Sequence, residues 1–372
     1  MEAAAKRHGA RIIRSLHDFS GPVKNLCETL TLMKGETDEI PKIAFMPRCP
    51  DDVTDAFRQL STFKAFPYIV CAMGHLGKVT RILAGRLGSM LVFASVPDDA
   101  TAKLGQLTPL ELVRTYRFRM LTDSTRLYAV TGWPLEVTGS PELNNLAFAH
   151  EQEDKVLVPF PARTLDEFVR FADVAGIQGA AVTVPHKEAA RDFAGELDEA
   201  AQTIGAVNTL VRTPGGWKGY NTDAPGFASA LCAFLGVDTL AGKRVLIVGA
   251  GGAAKAVAYA VHRLEGDAIV CNRTLEKAEL LAAKYWFRVG ELAGLAPVDV
   301  IVQTTSVGLN SDGDALQGYV FTGRESLFDL VYHPAVTTAM RRCLDAGGKA
   351  ENGWRMLIDQ AIHQRRIYRE HE

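Results

Sequence analysis

Residues 244–261 read RVLIVGAGGAAKAVAYAV: a short apolar run enters a glycine-rich turn, and a long apolar helix follows. This stretch restricts the fold more than any other. A continuous apolar run bounded by glycine fits a strand covered on both faces, as in a parallel sheet. Gly249 permits a tight turn, Gly251 lets backbone approach a pyrophosphate, and Gly252 or Ala254 lets the helix pack closely. The helix start offers N–H donors and a positive dipole end to phosphates. Gly249, Ala250, Gly251, Gly252, Ala253 and Lys255 are therefore the expected cofactor contacts. A plain tight turn between strand and helix is the bland alternative.

An NAD site places an acid on the ribose about 20 residues after the glycines. Here the next strand, Ala268–Cys271, ends in Asn272-Arg273-Thr274. A carboxylate would repel a 2′-phosphate, whereas Arg273 offers a planar guanidinium and Thr274 a hydroxyl. NADP, as NADPH in the reductive direction, is the expected cofactor. The competing reading is a helix cap at Thr274 beside a solvated Arg273.

A chain of 372 residues exceeds one ordinary core and predicts two or three domains. Its 47% hydrophobic and 23% charged residues with a net charge of −2 point to neither nucleic acid nor membrane surface as partner. No apolar run approaches a membrane span, and residues 1–6 lack a signal-peptide core. The six cysteines (27, 49, 71, 232, 271 and 343) show no metal-ligand spacing, so no metal is expected. A reduced, cytoplasmic enzyme acting on a small molecule is the expectation.

The first 120 residues alternate strands (11–16, 42–46, 68–73, 90–94) with helices (23–34, 51–63, 109–121). Such units tile a (β/α)₈ barrel, and four make half of one. Near Thr122-Asp123-Ser124 the pattern restarts, with strands at 128–131, 155–159 and 180–184 and helices near 141–151 and 163–175. Residues 207–211 and 216–220 flank Pro214-Gly215-Gly216 and read as a hairpin or edge pair. After the glycine turn, strands are expected at 268–271, 298–302 and 327–331. A last helix over 354–368 carries Met356, Leu357, Ala361 and Ile362 at helical spacing.

A carbonyl that receives a hydride becomes an alkoxide and needs a positioned proton donor. Lys187 follows the strand Ala181–Val184 and Pro185, and Asp223 follows the strand ending at Tyr220. Two strand ends can meet at one sheet edge, where the acid would keep the ammonium charged and aimed. Against this, Lys187 could be a solvated charge, Asp223 a cap for the helix from Ala224, and Asn208 a turn residue.

VTVPHK, GAVNTL, GYNTDAPGF, VGAGGAAKA, CNRT, TTSVGL, DLVYHPAVTTAM and GWRMLIDQA span residues 126–370 in an order and spacing that resemble the shikimate dehydrogenase family. The resemblance implies reversible NADPH-dependent reduction of 3-dehydroshikimate to shikimate in aromatic amino-acid biosynthesis. It implies Lys187 and Asp223 as the catalytic pair and Thr183, Asn208, Tyr332 and Gln360 as substrate contacts. Thr138 and Ser140 would meet the substrate carboxylate, although Val137-Thr138 stands where the family usually has His-Ser.

SLHDFSGP, IPKIAFMP, AMGHLGKVTR, GSMLVFAS and LGQL, in the first 120 residues, look like the second half of a type I 3-dehydroquinate dehydratase. The resemblance implies Lys42 as Schiff-base residue, His17 as acid/base, Arg81 on the carboxylate and Gln106 on the substrate. Without it, Lys42 reads as a strand-end charge and His17-Asp18 as a turn. The loop before Gln106 departs from the family at Thr101 or Ala102, and four barrel strands are not in this chain.

The expected fold is α/β: a partial (β/α) half-barrel followed by a two-domain dehydrogenase with an α/β substrate domain and a Rossmann NADP domain. The expected borders are 1–122 for the dehydratase-like part, 123–225 for the substrate domain and 226–345 for the NADP domain. Residues 346–372 are a helix returning to the substrate domain. The dehydratase part is expected to be N-terminally shortened and inactive unless a second copy (a homodimer) or a partner fragment completes the barrel. The alternatives are a bifunctional dehydratase/dehydrogenase and an NAD-dependent quinate/shikimate dehydrogenase.

Overall fold

The computed structural model describes residues 2–35, 39–96, 105–135 and 138–372. The chain divides into two compact units, Met1–His186 and Lys187–Glu372.

The first unit opens with α1 (Glu2–Arg7), β1 (Ile12–Asp18), α2 (Leu26–Met33), β2 (Glu39–Phe45), α3 (Pro50–Leu60), β3 (Ile69–Ala72) and α4 (Lys78–Ile82). The three strands form a parallel sheet in the order β1-β2-β3. Central β2 is buried at every position except half-buried Lys42, while β1 is largely exposed, as an edge strand is.

Two expectations are corrected here. Residues 90–94 are not a fourth strand; among the described residues only one bridge, Tyr68 to Ser89, extends the sheet, and Met90 and Phe93 stay partly exposed. Apolar composition suggested the strand, but no continuous ladder forms. The helix expected over 109–121 is a π-type turn at Glu111–Thr115 and a 3₁₀ turn at Phe118–Met120. Arg117 between them adopts a left-handed φ of 48°, which breaks a right-handed ladder.

The same unit continues through β4 (Arg126–Thr131), α5 (Ser140–His150), β5 (Lys155–Pro159), α6 (Leu165–Ala175) and β6 (Ile177–Val182). β5 and β6 flank β4 in parallel. α6 starts at a capping box, Thr164 with Glu167, and stops at Gly176 with a φ of 74°. It packs on α3: Phe171 meets Phe57 edge-on at 5.3 Å and stacks on Phe160 at 3.8 Å. Arg170 forks onto Asp51 at 2.9 and 2.7 Å.

The second unit opens with α7 (Lys187–Phe193), β7 (Glu196–Leu197), α8 (Glu199–Ile204), the hairpin β8 (Thr209–Thr213) and β9 (Gly216–Tyr220), and α9 (Asp223–Leu235). Then come β10 (Arg244–Val248), α10 (Gly252–Arg263), β11 (Asp267–Cys271), α11 (Leu275–Lys284), β12 (Arg288–Val289) and β13 (Val300–Gln303). The chain finishes with β14 (Ser326–Asp329), α12 (Thr338–Asp345), β15 (Lys349–Asn352) and α13 (Trp354–Glu370). β10 to β15 form one parallel sheet in the order β12-β11-β10-β13-β14-β15, the doubly wound order whose switch point lies between β10 and β13. Val245 and Ile247 face one core with Ala254, Val257 and Phe328, and Leu246 faces another with Ile301 and Leu327. This double burial explains the unbroken apolar run at the glycine turn.

α13 returns along α9, with Gly226 so near Gln360 that a Cβ would lie 2.6 Å from its backbone nitrogen. The expected α/β class holds: the sheets are largely parallel, with β8 and β9 paired antiparallel as a hairpin, and the second unit carries a Rossmann-type sheet. Among the described residues no helix is long and apolar enough to cross a membrane.

Candidate functional site

α7 opens on Lys187 and α9 on Asp223, so each side chain lies at a helix start just beyond the strand or hairpin before it. Lys187 Nζ donates to Asp223 Oδ2 at 2.5 Å, with the side chains only 12% and 9% exposed. Asn208 Nδ2 donates to the other oxygen, Asp223 Oδ1, at 2.8 Å and to Thr222 Oγ1 at 2.9 Å. Asn208 Oδ1 accepts the Thr222 N–H at 2.7 Å. Both carboxylate oxygens are thus engaged, and Asp223 does not cap its own helix. An ion pair this buried is sustained only where both charges are matched, as they are here. The helix start adds a favourable dipole for the carboxylate.

Gln360 Oε1 accepts from Thr222 Oγ1 at 3.3 Å, and Gln364 Nε2 donates to Thr209 Oγ1 at 2.9 Å. Thr209, Thr222 and Gln364 were not among the expected site residues. Gln364 lies one helical turn beyond Gln360, and that spacing was the available signal.

The glycine turn fits a dinucleotide. Gly249 has a φ of 115°, and a Cβ on it would collide with Thr304 Oγ1, which donates to Val248 O at 2.7 Å. Gly251 has nothing within 4 Å of where a Cβ would be, and as N-cap of α10 it supplies no side-chain acceptor. The first-turn N–H groups therefore keep their capacity to meet phosphate. Ala250 is buried and Ala253 half-buried beside them, while Ala254 packs into the core. The close neighbour of Gly252 is Lys187: a Cβ at 252 would lie 3.3 Å from Lys187 Cδ. Lys255 Nζ donates to Glu188 Oε1 at 2.6 Å.

At the end of β11, Asn272 Nδ2 donates to Thr274 O at 2.8 Å. Arg273 is exposed and has no ion pair among the described residues, and Thr274 begins α11 without a side-chain cap bond. A guanidinium and a hydroxyl left open together suit a 2′-phosphate.

Past β14, Asp329 lies buried, accepting from Thr337 Oγ1 at 2.7 Å, Val331 N at 3.0 Å and Gln303 Nε2 at 3.2 Å. Burial pushes its carboxyl up to about 6 despite those bonds. It ties down the loop carrying Tyr332, whose ring lies 5.0 Å from that of Trp354.

In the first unit, Thr183 N donates to Thr131 O and Trp133 N to Val184 O, each at 2.9 Å, which brings the loops after β4 and β6 side by side. A Cβ on Gly132 would strike the Thr183 methyl. Ser140 is buried at the start of α5, and its N–H donates to Thr138 Oγ1 at 3.3 Å. Val137 lies outside the described residues.

Adjacent β1 and β2 bring Lys42 Nζ within 3.0 Å of His17 Nε2, and Lys42 Nζ stands 4.5 Å from the Phe93 ring centre. Partial burial, and then the Lys42 charge, hold the His17 imidazole below its ordinary value, favouring the neutral ring. Arg81 is buried on α4, with Nη1 at 3.5 Å from Phe93 O. Gln106 is half-buried after Gly105, which has a φ of 72° and packs against the Gly74 backbone. Thr101 and Ala102 lie outside the described residues.

Three family models match consecutive parts of the chain. They are type I 3-dehydroquinase over residues 1–123, the shikimate dehydrogenase substrate-binding domain over 130–210, and shikimate/quinate 5-dehydrogenase over 233–309. The NADP(+) shikimate dehydrogenase of Carboxydothermus hydrogenoformans is 35% identical over 257 residues, covering 65% of this chain and 91% of the relative. The chain belongs to the shikimate dehydrogenase family. The expected enzyme class, an NADP-linked oxidoreductase, is the class printed for these relatives. A crystal structure of the Thermus thermophilus shikimate 5-dehydrogenase with NADP(H) and shikimate matches with a TM-score of 0.60 and 31% identity. It covers 65% of this chain and 93% of that one. The bifunctional chloroplastic 3-dehydroquinate dehydratase/shikimate dehydrogenase of Arabidopsis thaliana is 31% identical over 385 residues. The alignment takes in 96% of this chain, which spans 63% of that relative's length.

Proposed function

We propose that the chain interconverts 3-dehydroshikimate and shikimate, with Lys187 and Asp223 as the catalytic pair. The observation that carries the reading is the buried 2.5 Å contact from Lys187 Nζ to Asp223 Oδ2. NADPH, when bound, supplies the hydride. Lys187 Nζ–H gives its proton to the oxygen that becomes a hydroxyl, and the same nitrogen takes that proton back in the oxidative direction. Asp223 accepts from Nζ and aims it, and Asn208 holds Asp223.

The carboxylate falls to Thr138 and Ser140, and the ring and hydroxyls to Thr183, Asn208, Tyr332 and Gln360. Gly249 to Ala253 serve the pyrophosphate, and Asn272, Arg273 and Thr274 the adenosine end with its 2′-phosphate. Residues 123–225 then form the substrate domain and 226–345 the NADP domain, and within 346–372 α13 is the returning helix. The test is NADPH absorbance with purified chain, shikimate and NADP⁺, crossed with quinate and NAD⁺. No signal with shikimate and NADP⁺ overturns the reading, and faster turnover with quinate and NAD⁺ installs the alternative.

A second reading concerns residues 1–122. The 3.0 Å Lys42–His17 contact and the type I 3-dehydroquinase match favour a working dehydratase over an inactive one. Lys42 as free amine would add to the substrate ketone and expel water, with His17 moving protons at the adjacent carbon and leaving hydroxyl. Borohydride reduction with 3-dehydroquinate should then add the mass of a reduced adduct at Lys42, and an unmodified Lys42 overturns this. Specific activity that rises with chain concentration is the mark of a second copy completing the barrel. The six unbridged cysteines favour a reduced cytoplasm as the setting.

A further inference from the structure

Lys187 and its neighbour Glu188 open α7, and each meets the first turns of α10. The Lys187 stem lies against Gly252, where a Cβ would be 3.3 Å from Cδ and 3.5 Å from Cβ of the lysine. Glu188 Oε1 accepts from Lys255 Nζ at 2.6 Å, on side chains 56% and 26% exposed. A pair so exposed adds little to stability, so its value lies in what it aligns. It ties the residue after the proton-transferring lysine to the helix that begins at the dinucleotide turn.

We propose that Glu188 and Lys255 are positioning residues. Their ion pair fixes α7 against α10 and keeps the Lys187 ammonium on Asp223, while Gly252 leaves room for the lysine stem. The inference rests on the dehydrogenase reading. It gives Lys255 a task other than phosphate contact, because its ammonium is already engaged by Glu188. The uncapped N–H groups of the turn are left to meet the phosphates.

The experiment is steady-state kinetics with shikimate and NADP⁺, starting from the wild-type chain. A silent wild type overturns the dehydrogenase reading itself; an active wild type leaves only the positioning claim at stake. Glu188→Ala and Lys255→Ala should each lower kcat about tenfold, with KM for NADP⁺ within about twofold of wild type. The double variant should be no slower than the worse single one, because both remove one interaction. The swap Glu188→Lys with Lys255→Glu should recover most of kcat, which also guards against misfolding in the alanine variants. Gly252→Ala should lower kcat through displacement of Lys187. The proposal is overturned if Lys255→Ala raises KM for NADP⁺ about tenfold at unchanged kcat, the signature of a lost phosphate contact. It is equally overturned if the single effects add in the double variant, or if the swap recovers nothing.

Discussion

Lys187 donates to a carboxylate whose second oxygen is held by Asn208, whereas Lys42 faces an imidazole nitrogen and an aromatic ring. Among the described residues Lys42 has no carboxylate partner. The first arrangement aims Nζ through a fixed carboxylate, which suits a residue that hands over a proton and recovers it. The second sets a lysine beside an imidazole held below its ordinary value, a proton carrier at hand for a nucleophile. On the proposed reading one side chain type serves two chemistries, and the partner a few ångströms away decides which.

The comparison breaks most visibly at Asp223. Asp223→Ala should lower kcat for shikimate oxidation on the order of 10²-fold, because the lysine loses its aim and its counter-ion. Borohydride trapping at Lys42 should be unchanged. Loss of both readouts would mean that the two lysines are not independent.

Next comes the acid that braces the Tyr332 loop. Burial raises Asp329 from its ordinary 3.8 to about 6. Across that interval the folded chain keeps a proton that the unfolded chain has lost. Stability therefore falls as pH rises through the interval, by about 3 kcal/mol at most, and the loss is complete above it. Chemical denaturation at a series of pH values should show this decline in the wild type and a smaller one in Asp329→Asn, where Asp198, also raised by burial, still contributes.

A smaller effect is expected at Arg273. Replacing it with Ala should raise KM for NADP⁺ about tenfold and leave NAD⁺ kinetics unaltered, since one charge-assisted contact is removed. Equal losses with both cofactors would remove Arg273 from the 2′-phosphate.

The smallest effect belongs to the other lysine. Lys42→Ala should move the His17 titration upward in a proton NMR experiment, but only part of the way. Partial burial is the larger cause of its depression and the Lys42 charge the lesser one. No movement would place Lys42 away from His17 in solution.

Much of this was legible in the sequence because it follows local rules. The strand at 155–159 and the hairpin arm at 216–220 were read to the residue, since glycine, proline and alternation bound them. β15 was missed: Lys349–Asn352 is a polar, half-exposed edge, and pairing with β14 rather than its own pattern makes it a strand. The expected fourth strand failed for the converse reason, as apolar residues 90–94 lack a continuous ladder. At the site, motif order exposed Lys187, Asp223 and Asn208. The bond from Glu188 to Lys255 joins positions 67 apart, and no spacing rule links them. Asp329 gave no sequence signal of its burial.

The most direct measurement crosses the two lysines with the two readouts. Lys187→Ala and Lys42→Ala are each assayed for NADPH formation from shikimate and for borohydride trapping with 3-dehydroquinate. The predicted result is that Lys187→Ala loses NADPH formation and keeps the adduct, while Lys42→Ala keeps NADPH formation and loses the adduct. NADPH formation at the wild-type rate by Lys187→Ala would contradict the account.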